Sequence, residues 1–433
     1  MKKLFDMLTT KRYEENRQLL SFTTSDFLAS TFEPADANCL DVSLQAEQVQ
    51  RLFKLVQKIF GYHDYQVENP YKFHKLIPSA RNIHPEIPYI LFDGRAYRYD
   101  SVSNSFIYCG VVDDTDGFQV LIGLDLGRLC NVYGTFGLAL SYLDMGHMIA
   151  ELEVAVMDGH TEVEIVYMFD REKLQAELGI AKDIFLGSVL YLSNEQLEQE
   201  TLYSAKEYNV PTERKQVDYS KDLKILGVTD YLNSFNKRFS YKRKGEALTA
   251  STQWSGARTS ANSSGGLLDL GISLSETKWQ QLLEVSSSIV NRYSGKGQFT
   301  LHILICNQDS EMNGYHRVRK EVIDFQSASL SLDNLLHDSK EFFNLEDASF
   351  AAFITYQGEQ LPIQEQIYYA HVFSAEMIHH LSRFFFGENF YTRPMKNFND
   401  AYLKQQFDLC EQDRVIYLLF AGKTLIGNRK YIL

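Results

Sequence analysis

The sequence predicts an α+β fold made of two tandem copies of one module, and three observations carry this prediction. The chain has 433 residues, whereas domains usually hold roughly 50–250 residues, so two domains are expected. One amphipathic helix pattern occurs twice without gaps, at residues 43–59 and 273–289. Short apolar segments typical of strands alternate with helical segments, which favours helices packed on mixed sheets.

The two copies of the repeated helix carry the same local signals. Each begins with Ser-Leu and a glutamate a few residues later, at Ser43 and Ser273, as helix N-termini often do. Apolar residues then recur at helical spacing. The matched positions are Val49, Leu52, Phe53 and Val56 in the first copy and Trp279, Leu282, Leu283 and Ser286 in the second. These patterns predict one helix at the start of each copy.

The segments after each repeated helix also follow one order. An irregular stretch, an apolar strand, a glycine with a tyrosine segment, a long helix and a closing strand succeed one another. In the first copy, the strand, long helix and closing strand are predicted at residues 89–92, 133–156 and 162–168. In the second copy, they are predicted at residues 299–305, 363–386 and 414–421. The spacing varies, so the copies carry insertions.

The predicted organisation is a module at residues 1–205, a linker at 206–250 and a second module at 251–433. The interval between Leu202 and Lys244 is polar and contains Pro211 and many charged residues, which is typical of a linker. Two copies of one module in a single chain are the covalent counterpart of a symmetric dimer. We therefore expect an intramolecular pseudo-dimer.

Composition limits the class of protein. Apolar residues make up 45% and charged residues 23% of the chain, as in soluble globular proteins. The formal net charge is −13, whereas phosphate backbones require clustered Lys and Arg, so no nucleic-acid partner is expected. The sequence shows neither a signal-peptide core nor a run of about 18 apolar residues. We expect a cytoplasmic protein with no membrane segment.

The cysteine and histidine patterns do not favour a metal site. The five cysteines are widely spaced and form no C-x-x-C motif, so neither a disulfide scaffold nor a zinc ribbon is expected. His379 and His380 are adjacent on a predicted helix and therefore point in different directions. The sequence contains no P-loop, H-E-x-x-H or G-x-S-x-G motif. We predict no resident metal.

Three polar clusters are candidate ligand-binding segments. Residues 257–262 include Arg258 and Ser260, whose guanidinium and hydroxyl suit a phosphate. Residues 78–85 form a proline-bracketed loop that can hold Ser79 rigidly against a heterocycle. Residues 389–398 mix aromatic, cationic and amide groups after a long helix. Each alone is equally compatible with an ordinary surface loop, turn or helix-to-strand connection.

Taken in order, these clusters resemble the nitroreductase family, most closely its SagB-type dehydrogenase branch, which includes the azoline oxidases of peptide biosynthesis. The first copy carries Pro78-Ser79-Ala80, Gly94-Arg95-Ala96-Tyr97 and Asp144-Met145-Gly146-His147. The second carries Arg258-Thr259-Ser260, Leu274-Ser275 and Arg393-Pro394. The resemblance spans roughly residues 40–190 and 255–425. It implies a nitroreductase fold and an FMN cofactor.

The resemblance also implies one composite FMN site. In dimers of this family, one subunit supplies Arg-x-Ser and the flavin loop, and its partner supplies the Pro-Ser loop. Here the second copy keeps the former and the first copy keeps the latter. The residues implied to bind FMN are Arg258, Ser260, Asn262, Pro78, Ser79, Asn82, Lys396, Asn397 and Arg429.

The resemblance implies different roles for these residues. Arg258, Ser260 and Asn262 match positions near the phosphate and ribityl chain, although the family usually has Arg or Lys where Asn262 stands. The Pro78, Ser79 and Asn82 positions would approach the isoalloxazine ring. The backbone around Lys396 and Asn397 would face flavin N5. Arg429 is assigned a second phosphate contact from its charge and its place in the tail.

Tyr133 is the candidate catalytic residue. The family places a Lys-Tyr pair before the Asp-x-Gly-His helix, and this chain has Val132-Tyr133. A positioned phenol can act as a general acid or base, whereas the alternative is a packed tyrosine. The adjacent motif histidine, His147, lies between two methionines and is expected to be a packed, hydrogen-bonded residue.

The predicted function is oxidation of azoline rings to azoles in a ribosomally made, modified peptide by an FMN-dependent oxidoreductase. The implied partners are the peptide substrate and a cyclodehydratase complex. Two alternatives stay open. One is a non-catalytic scaffold that binds a peptide or partner enzyme, and the other is a general nitro- or quinone-reducing flavoenzyme.

Overall fold

A computed structural model of the chain describes residues that form two large sheets, one small sheet and the helices packed on them. The described residues are 32–65, 73–112, 115, 117–157, 162–167, 172–181, 184–193, 206–213, 228, 241–245, 274–306, 310–320, 322–327, 335–336, 348–358, 360–387, 390–422 and 431–432. They fall into two compact units. The first unit contains residues 32–245 and 431–432 of this set, and the second contains residues 274–422.

The first unit is built on a nine-stranded sheet. Its helices are α1 (Glu47–Phe60), α2 (Leu126–Tyr133), α3 (Phe136–Met157) and α4 (Glu172–Glu177). Its strands are β1 (Phe32–Cys39), β2 (Asp64–Tyr65), β3 (Phe73–His74), β4 (Glu86–Phe92), β5 (Arg95–Asp100), β6 (Ser105–Val111), β7 (Phe118–Asp125), β8 (Glu162–Tyr167), β9 (Ile184–Ser193), β10 (Lys206–Glu213) and β11 (Tyr241–Lys244). The sheet order is β10-β1-β6-β5-β4-β7-β9-β8-β11.

The second unit is built on a six-stranded sheet. Its elements are α5 (Glu276–Tyr293), β12 (Gln298–Ile305), β13 (Gly314–Arg319), β14 (Val322–Gln326), β15 (Phe350–Gln357), α6 (Ile363–Gly387), β16 (Tyr391–Met395), α7 (Asp400–Gln406) and β17 (Arg414–Gly422). The sheet order is β14-β13-β12-β15-β17-β16. A last strand, β18 (Tyr431–Ile432), joins β2 and β3 in a small three-stranded sheet of the first unit.

The two units share one topology. The strands β6-β5-β4-β7-β9-β8 of the first unit stand in the order of β14-β13-β12-β15-β17-β16 in the second. In each unit a long helix follows β7 or β15 in the chain. A short helix then lies between β8 and β9, or between β16 and β17. The ladder shifts register at the same place, between Ile122 and Gly123 in β7 and between Ile354 and Thr355 in β15. Such bulges are specific features of a strand pair.

The predicted α+β class is confirmed, but the expectation of mixed sheets is wrong. Every strand pairing among the described residues is antiparallel. The reason lies in the crossovers. Strands β7 and β8, joined by α3, do run parallel, but β9 inserts between them and is antiparallel to both. Strand β17 does the same between β15 and β16.

The interval predicted as a linker contributes two strands. Within residues 206–250, β10 pairs with β1 and β11 pairs with β8. Both lie at edges of the nine-stranded sheet. Edge strands commonly carry charged residues and proline because these prevent further strand pairing. A polar composition therefore does not distinguish an edge strand from a linker.

The predicted helix faces are the buried faces. In α1, Phe53 packs edge-on against Tyr97, Phe106 and Phe118, with ring centroids 6.3, 4.7 and 5.2 Å away. In α5, Trp279 stacks on Phe350 with centroids 6.3 Å apart. The buried Ser286 donates its hydroxyl to the Leu282 carbonyl at 2.6 Å, which satisfies it in an apolar setting. No helix among the described residues is both long and apolar enough to cross a membrane.

Candidate functional site

The Pro78 loop, residues 78–85 between β3 and β4, has a constrained backbone. Arg81, Asn82 and His84 have φ values of 52°, 53° and 52°. This left-handed region is unfavourable for residues with a Cβ, at a cost of order 1 kcal/mol each, and persists only where neighbouring groups hold it. The loop therefore adopts a strained conformation that neighbouring groups must hold, and its rigidity stays a prediction.

Hydrogen bonds fix the Pro78 loop to α2 and α3. The Ser79 hydroxyl donates to Asp144 Oδ2 at 2.5 Å and accepts from the His84 backbone N–H at 3.1 Å. The Asp125 N–H donates to the Pro85 carbonyl at 2.8 Å. Arg128 Nη1 lies 3.4 Å from the His84 carbonyl. Both ends of the left-handed segment are thus tied to helices.

A buried charge cluster lies directly beneath the loop. Lys75 Nζ is 3.0 Å from Glu86 Oε1 and donates to Ser101 Oγ at 3.2 Å. His84 Nδ1 is 3.2 Å from the same Glu86 oxygen. Burial raises the pKa of Glu86, but the charges of Lys75 and His84 lower it by more, to about 2. Glu86 is therefore ionised throughout the neutral range.

Asp144 behaves in the opposite way. Burial first, and then the charge of Glu86, raise its pKa well above the usual value, while the Ser79 hydrogen bond and Lys75 act against that rise. Asp144 is only 4% exposed. The cluster therefore shifts the pKa values of two buried carboxyls in opposite directions, and such a division between neighbouring carboxyls is found at many functional sites.

We expect Glu86→Gln to cost about 3 kcal/mol of unfolding free energy at pH 7, because the variant leaves Lys75 buried without its anion. The folded-state pKa of Glu86 is lowered, so its contribution is present above about pH 4.5 and is lost as pH falls through about 2. Urea unfolding between pH 2 and pH 7 measures this. The difference between wild type and variant should shrink on acidification.

Glu177→Gln is the matched control for that change. Glu177 pairs with Lys173 at 3.4 Å on the surface, where Lys173 is 72% exposed, and such pairs contribute little. The two variants differ in the burial of the carboxylate and not in its chemistry. Equal losses for the two variants, or a pH-independent loss at Glu86, would contradict the assignment.

Tyr133 lies beside the Pro78 loop. It ends α2, its side chain is half-buried, and Arg81 Cζ lies 5.3 Å from its ring centre. The Phe136 ring is 6.4 Å away, edge-on. Val132, at the position where the resemblance implies lysine, is buried with 3% exposure. The structure thus brings the candidate catalytic phenol and the loop together, with a buried valine at the position before the phenol.

Lys396 and Asn397 follow β16 in the second unit. The Lys396 side chain is buried, and its ammonium donates to the Ile416 carbonyl and lies 5.7 Å from the Phe398 ring centre. Ile416 is the residue that the β15–β17 ladder skips at its register shift. The lysine side chain therefore contacts the bulge, and the predicted role of this backbone at the flavin stays a prediction. Asn397 is exposed.

The other predicted site residues stay predictions. Arg258, Ser260, Asn262 and Arg429 lie outside the described residues. Pro78 is half-buried and Asn82 is 7% exposed, and both share the Pro78 loop with Ser79. Among the described residues, no group of His, Cys, Asp or Glu side chains is arranged to hold a metal ion.

Sequence reasoning missed the buried charges. Lys75, His84 and Glu86 were not singled out, and Asp144 entered only as part of a helix motif. A signal was present, because Glu86 directly precedes the apolar run of residues 87–92 and Asp144 interrupts an apolar helix. Charged residues in such runs are rarely buried unless they are paired.

Comparisons with known proteins bear on the fold. No protein-family model and no curated protein matches the chain. Among solved structures, a nitroreductase-type protein from Anabaena variabilis matches 96% of this chain and 99% of its own, with a TM-score of 0.60 and 14% identity. Nitroreductase-type proteins from Ralstonia eutropha and Clostridium difficile match 38% and 36% of this chain and 80% and 77% of theirs, with TM-scores of 0.30 and 0.24 and identities of 14% and 11%.

The first of these likenesses covers nearly the whole chain and agrees with the observed architecture. Helices pack on two antiparallel sheets, and the match extends along almost the full length of both proteins. At 14% identity the likeness concerns the fold and not the chemistry. This chain therefore has the mixed α/β fold of the nitroreductases.

Proposed function

We propose that the protein is an FMN-dependent oxidoreductase in which the Pro78 loop presents a rigid edge to the flavin ring. The observation that carries this proposal is the loop itself. Three left-handed residues other than glycine are held in place by contacts from two helices, so the loop needs no ordering when a ligand binds. Strained, well-restrained backbone is typical of ligand-binding sites.

The described side chains suit a planar heterocycle. The Tyr133 ring, the Arg81 guanidinium and the backbone of the Pro78 loop offer flat faces and hydrogen-bonding groups in one place. The Ser79 hydroxyl already donates to Asp144 and accepts from the His84 N–H. The loop backbone, rather than that hydroxyl, is therefore the proposed hydrogen-bonding partner of the flavin ring. Arg258, Ser260, Asn262 and Arg429 remain the proposed phosphate-binding residues, with the backbone at Lys396 and Asn397 facing the ring.

When bound, FMN supplies the two-electron chemistry, and the chain supplies binding, orientation and proton handling. Tyr133 is the proposed proton-handling group because its phenol is half-exposed beside the loop. Arg81 packs across its ring at 5.3 Å and limits how that ring can turn. The finer proposal is that the substrate is an azoline ring in a modified peptide, delivered by a cyclodehydratase partner, as the motif order implies.

Tandem duplication of one module belongs to the same proposal. The shared strand order and the bulge at equivalent positions of β7 and β15 support it, since unrelated modules have no reason to share an irregularity of this kind. Duplication followed by loss of one set of binding motifs from each copy would leave one FMN per chain. The proposed stoichiometry is therefore one.

A second candidate function is a non-catalytic scaffold that binds a peptide or partner enzyme. The buried Val132 favours it, because no base can act from that position. It predicts that Tyr133 has no catalytic role and that the protein binds peptide without turnover. A colourless protein that retains a thiazoline peptide would select this function over the first.

Purified wild-type protein should carry about one FMN per chain and absorb near 450 nm (about that value for any flavin). Arg258→Ala should lower the retained FMN at least tenfold, because a charge-assisted phosphate contact is worth roughly 1.5–3 kcal/mol. Released FMN, measured by fluorescence after denaturation, gives the stoichiometry.

Arg319→Ala is the matched control, since Arg319 forms an exposed ion pair with Asp324 on the β13–β14 hairpin. It should leave the FMN content unchanged. Wild-type protein that neither copurifies with FMN nor binds added FMN would refute the proposed cofactor. FMN content unaffected by Arg258→Ala would refute the phosphate assignment alone.

A further inference from the structure

A hydrogen bond between Ser79 and Asp144 joins the strained turn of the Pro78 loop to α3. Asp144 lies on α3 and is buried, and Ser79 lies at the start of the Pro78 loop. Their oxygens are 2.5 Å apart, and the same Ser79 oxygen accepts the His84 N–H at 3.1 Å. Asp144 is therefore linked through one hydroxyl to the far end of the left-handed segment.

The second unit contains a related contact in the matching segment. Tyr293 ends α5 just before β12, and its hydroxyl donates to Glu376 Oε2 at 2.9 Å and lies 3.2 Å from His380 Nε2, both on α6. In each unit, a hydroxyl before the first central strand meets a buried acid on the long helix. In the second unit this contact holds the end of α5, whereas in the first unit it holds the connecting loop itself.

The two connections differ in what their backbones require. In the second unit the positive φ of 130° falls on Gly297, where no Cβ opposes it. In the first unit, positive φ values fall on Arg81, Asn82 and His84. The first connection therefore depends on its anchor to keep its shape, while the second can keep its shape through glycine.

We infer that Asp144 is a positioning residue for the Pro78 loop, acting through Ser79 to hold the loop in the conformation that faces the flavin. The identity of the ligand in this inference rests on the proposed function, but the positioning of the loop can be measured without any cofactor. Asp144 differs from the residues proposed to touch FMN because its hydrogen bond to the loop, among the described residues, is made to the Ser79 hydroxyl.

The charged groups around Asp144 determine at which pH its carboxyl ionises. Glu86 and Lys75 face it from the β3–β4 side, Asp125 at the end of β7 and Arg128 of α2 hold the loop, and His84 lies in the loop itself. Burial and the Glu86 charge keep the pKa of Asp144 high. The Ser79 hydrogen bond acts to lower that pKa, so it is stronger when Asp144 is ionised. As pH rises through the pKa of Asp144, the loop anchor should therefore strengthen and binding at the loop should tighten.

The test uses the full-length protein and the variants Ser79→Ala, Asp144→Asn and Asp144→Leu. Amide hydrogen exchange at residues 79–85 is measured without added FMN, and FMN affinity is then measured by fluorescence from pH 6 to pH 9. Ser79→Ala and Asp144→Leu should speed exchange at the His84 amide about tenfold and weaken FMN binding by a similar factor. Asp144→Asn, which stays neutral and keeps an acceptor, should retain the loop and abolish the pH dependence.

Ser141→Ala is the matched control, because Ser141 is a buried serine of α3 whose hydroxyl donates to the Gly137 carbonyl at 2.8 Å. It should leave exchange at residues 79–85 unchanged. Wild-type exchange at the His84 amide in Ser79→Ala, or a wild-type pH profile for Asp144→Asn, would overturn the inference even if Asp144→Leu failed to fold. Failure of the wild type to bind FMN would overturn the proposed function, while the exchange result would still decide the role of Asp144.

Discussion

Replacing Arg243 by methionine should lower the unfolding free energy by about 3–5 kcal/mol. Arg243 Nη1 and Nη2 bind Glu153 Oε1 and Oε2 at 2.7 and 2.9 Å, and the guanidinium also reaches the Tyr167 hydroxyl at 3.1 Å. Glu153 is 1% exposed. The variant would therefore leave a buried carboxylate without its cation. Such a loss is among the most destabilising effects of a single substitution.

Unfolding by urea at pH 7 measures the loss, and the neighbouring residue provides the control. Lys242 pairs with Glu164 at 3.1 Å, but the two side chains are 63% and 39% exposed, so Lys242→Met should change stability by less than about 1 kcal/mol. The double variant Arg243→Met with Glu153→Leu should recover much of the loss, because it removes the unpaired charge. Similar effects for Arg243→Met and Lys242→Met would contradict this account.

Tyr133→Phe should reduce turnover of a synthetic thiazoline peptide about 10²–10⁴-fold while the protein keeps its FMN. The change removes only the phenol oxygen, and the ring that contacts Arg81 and Phe136 remains. The loss should therefore appear in kcat, with the FMN content and the unfolding free energy close to those of wild type. Stopped-flow reduction of the bound flavin by the peptide measures it.

Tyr108→Phe is a suitable comparison because Tyr108 is a half-buried tyrosine of β6 that packs on Tyr97 with ring centroids 5.7 Å apart. It should leave turnover unchanged. Full turnover by Tyr133→Phe would remove Tyr133 from the chemistry. Absence of turnover in the wild type, with FMN and peptide both bound, would favour the scaffold function over the oxidoreductase.

The sequence predicted the elements whose signals are local. The repeated helices were visible because Val49 and Trp279 sit at the same position of one apolar pattern, and both lie in the cores of their units. The Pro78 loop was visible because two prolines and a serine constrain any chain. Periodicity and turn chemistry act over a few residues, and they determined these predictions.

The features that depend on distant pairing were not predicted. Nothing local to Ser79 indicates that it meets Asp144, since 65 residues separate them. The left-handed conformation of Arg81 is likewise imposed from outside, because arginine has no preference for it. Strand β9 carries an ordinary apolar pattern, and its insertion between β7 and β8 is a property of the assembled sheet.

The place of β18 bears on how the chain acquires its structure. Tyr431 and Ile432 pair with Tyr65 and Asp64 of β2, and the whole second unit lies between these two strands in the chain. Since domains generally fold as they emerge from the ribosome, the nine-stranded sheet can assemble before the second unit is made, whereas the small sheet must wait until β18 has followed that unit. Completion of the first unit therefore depends on synthesis of the second.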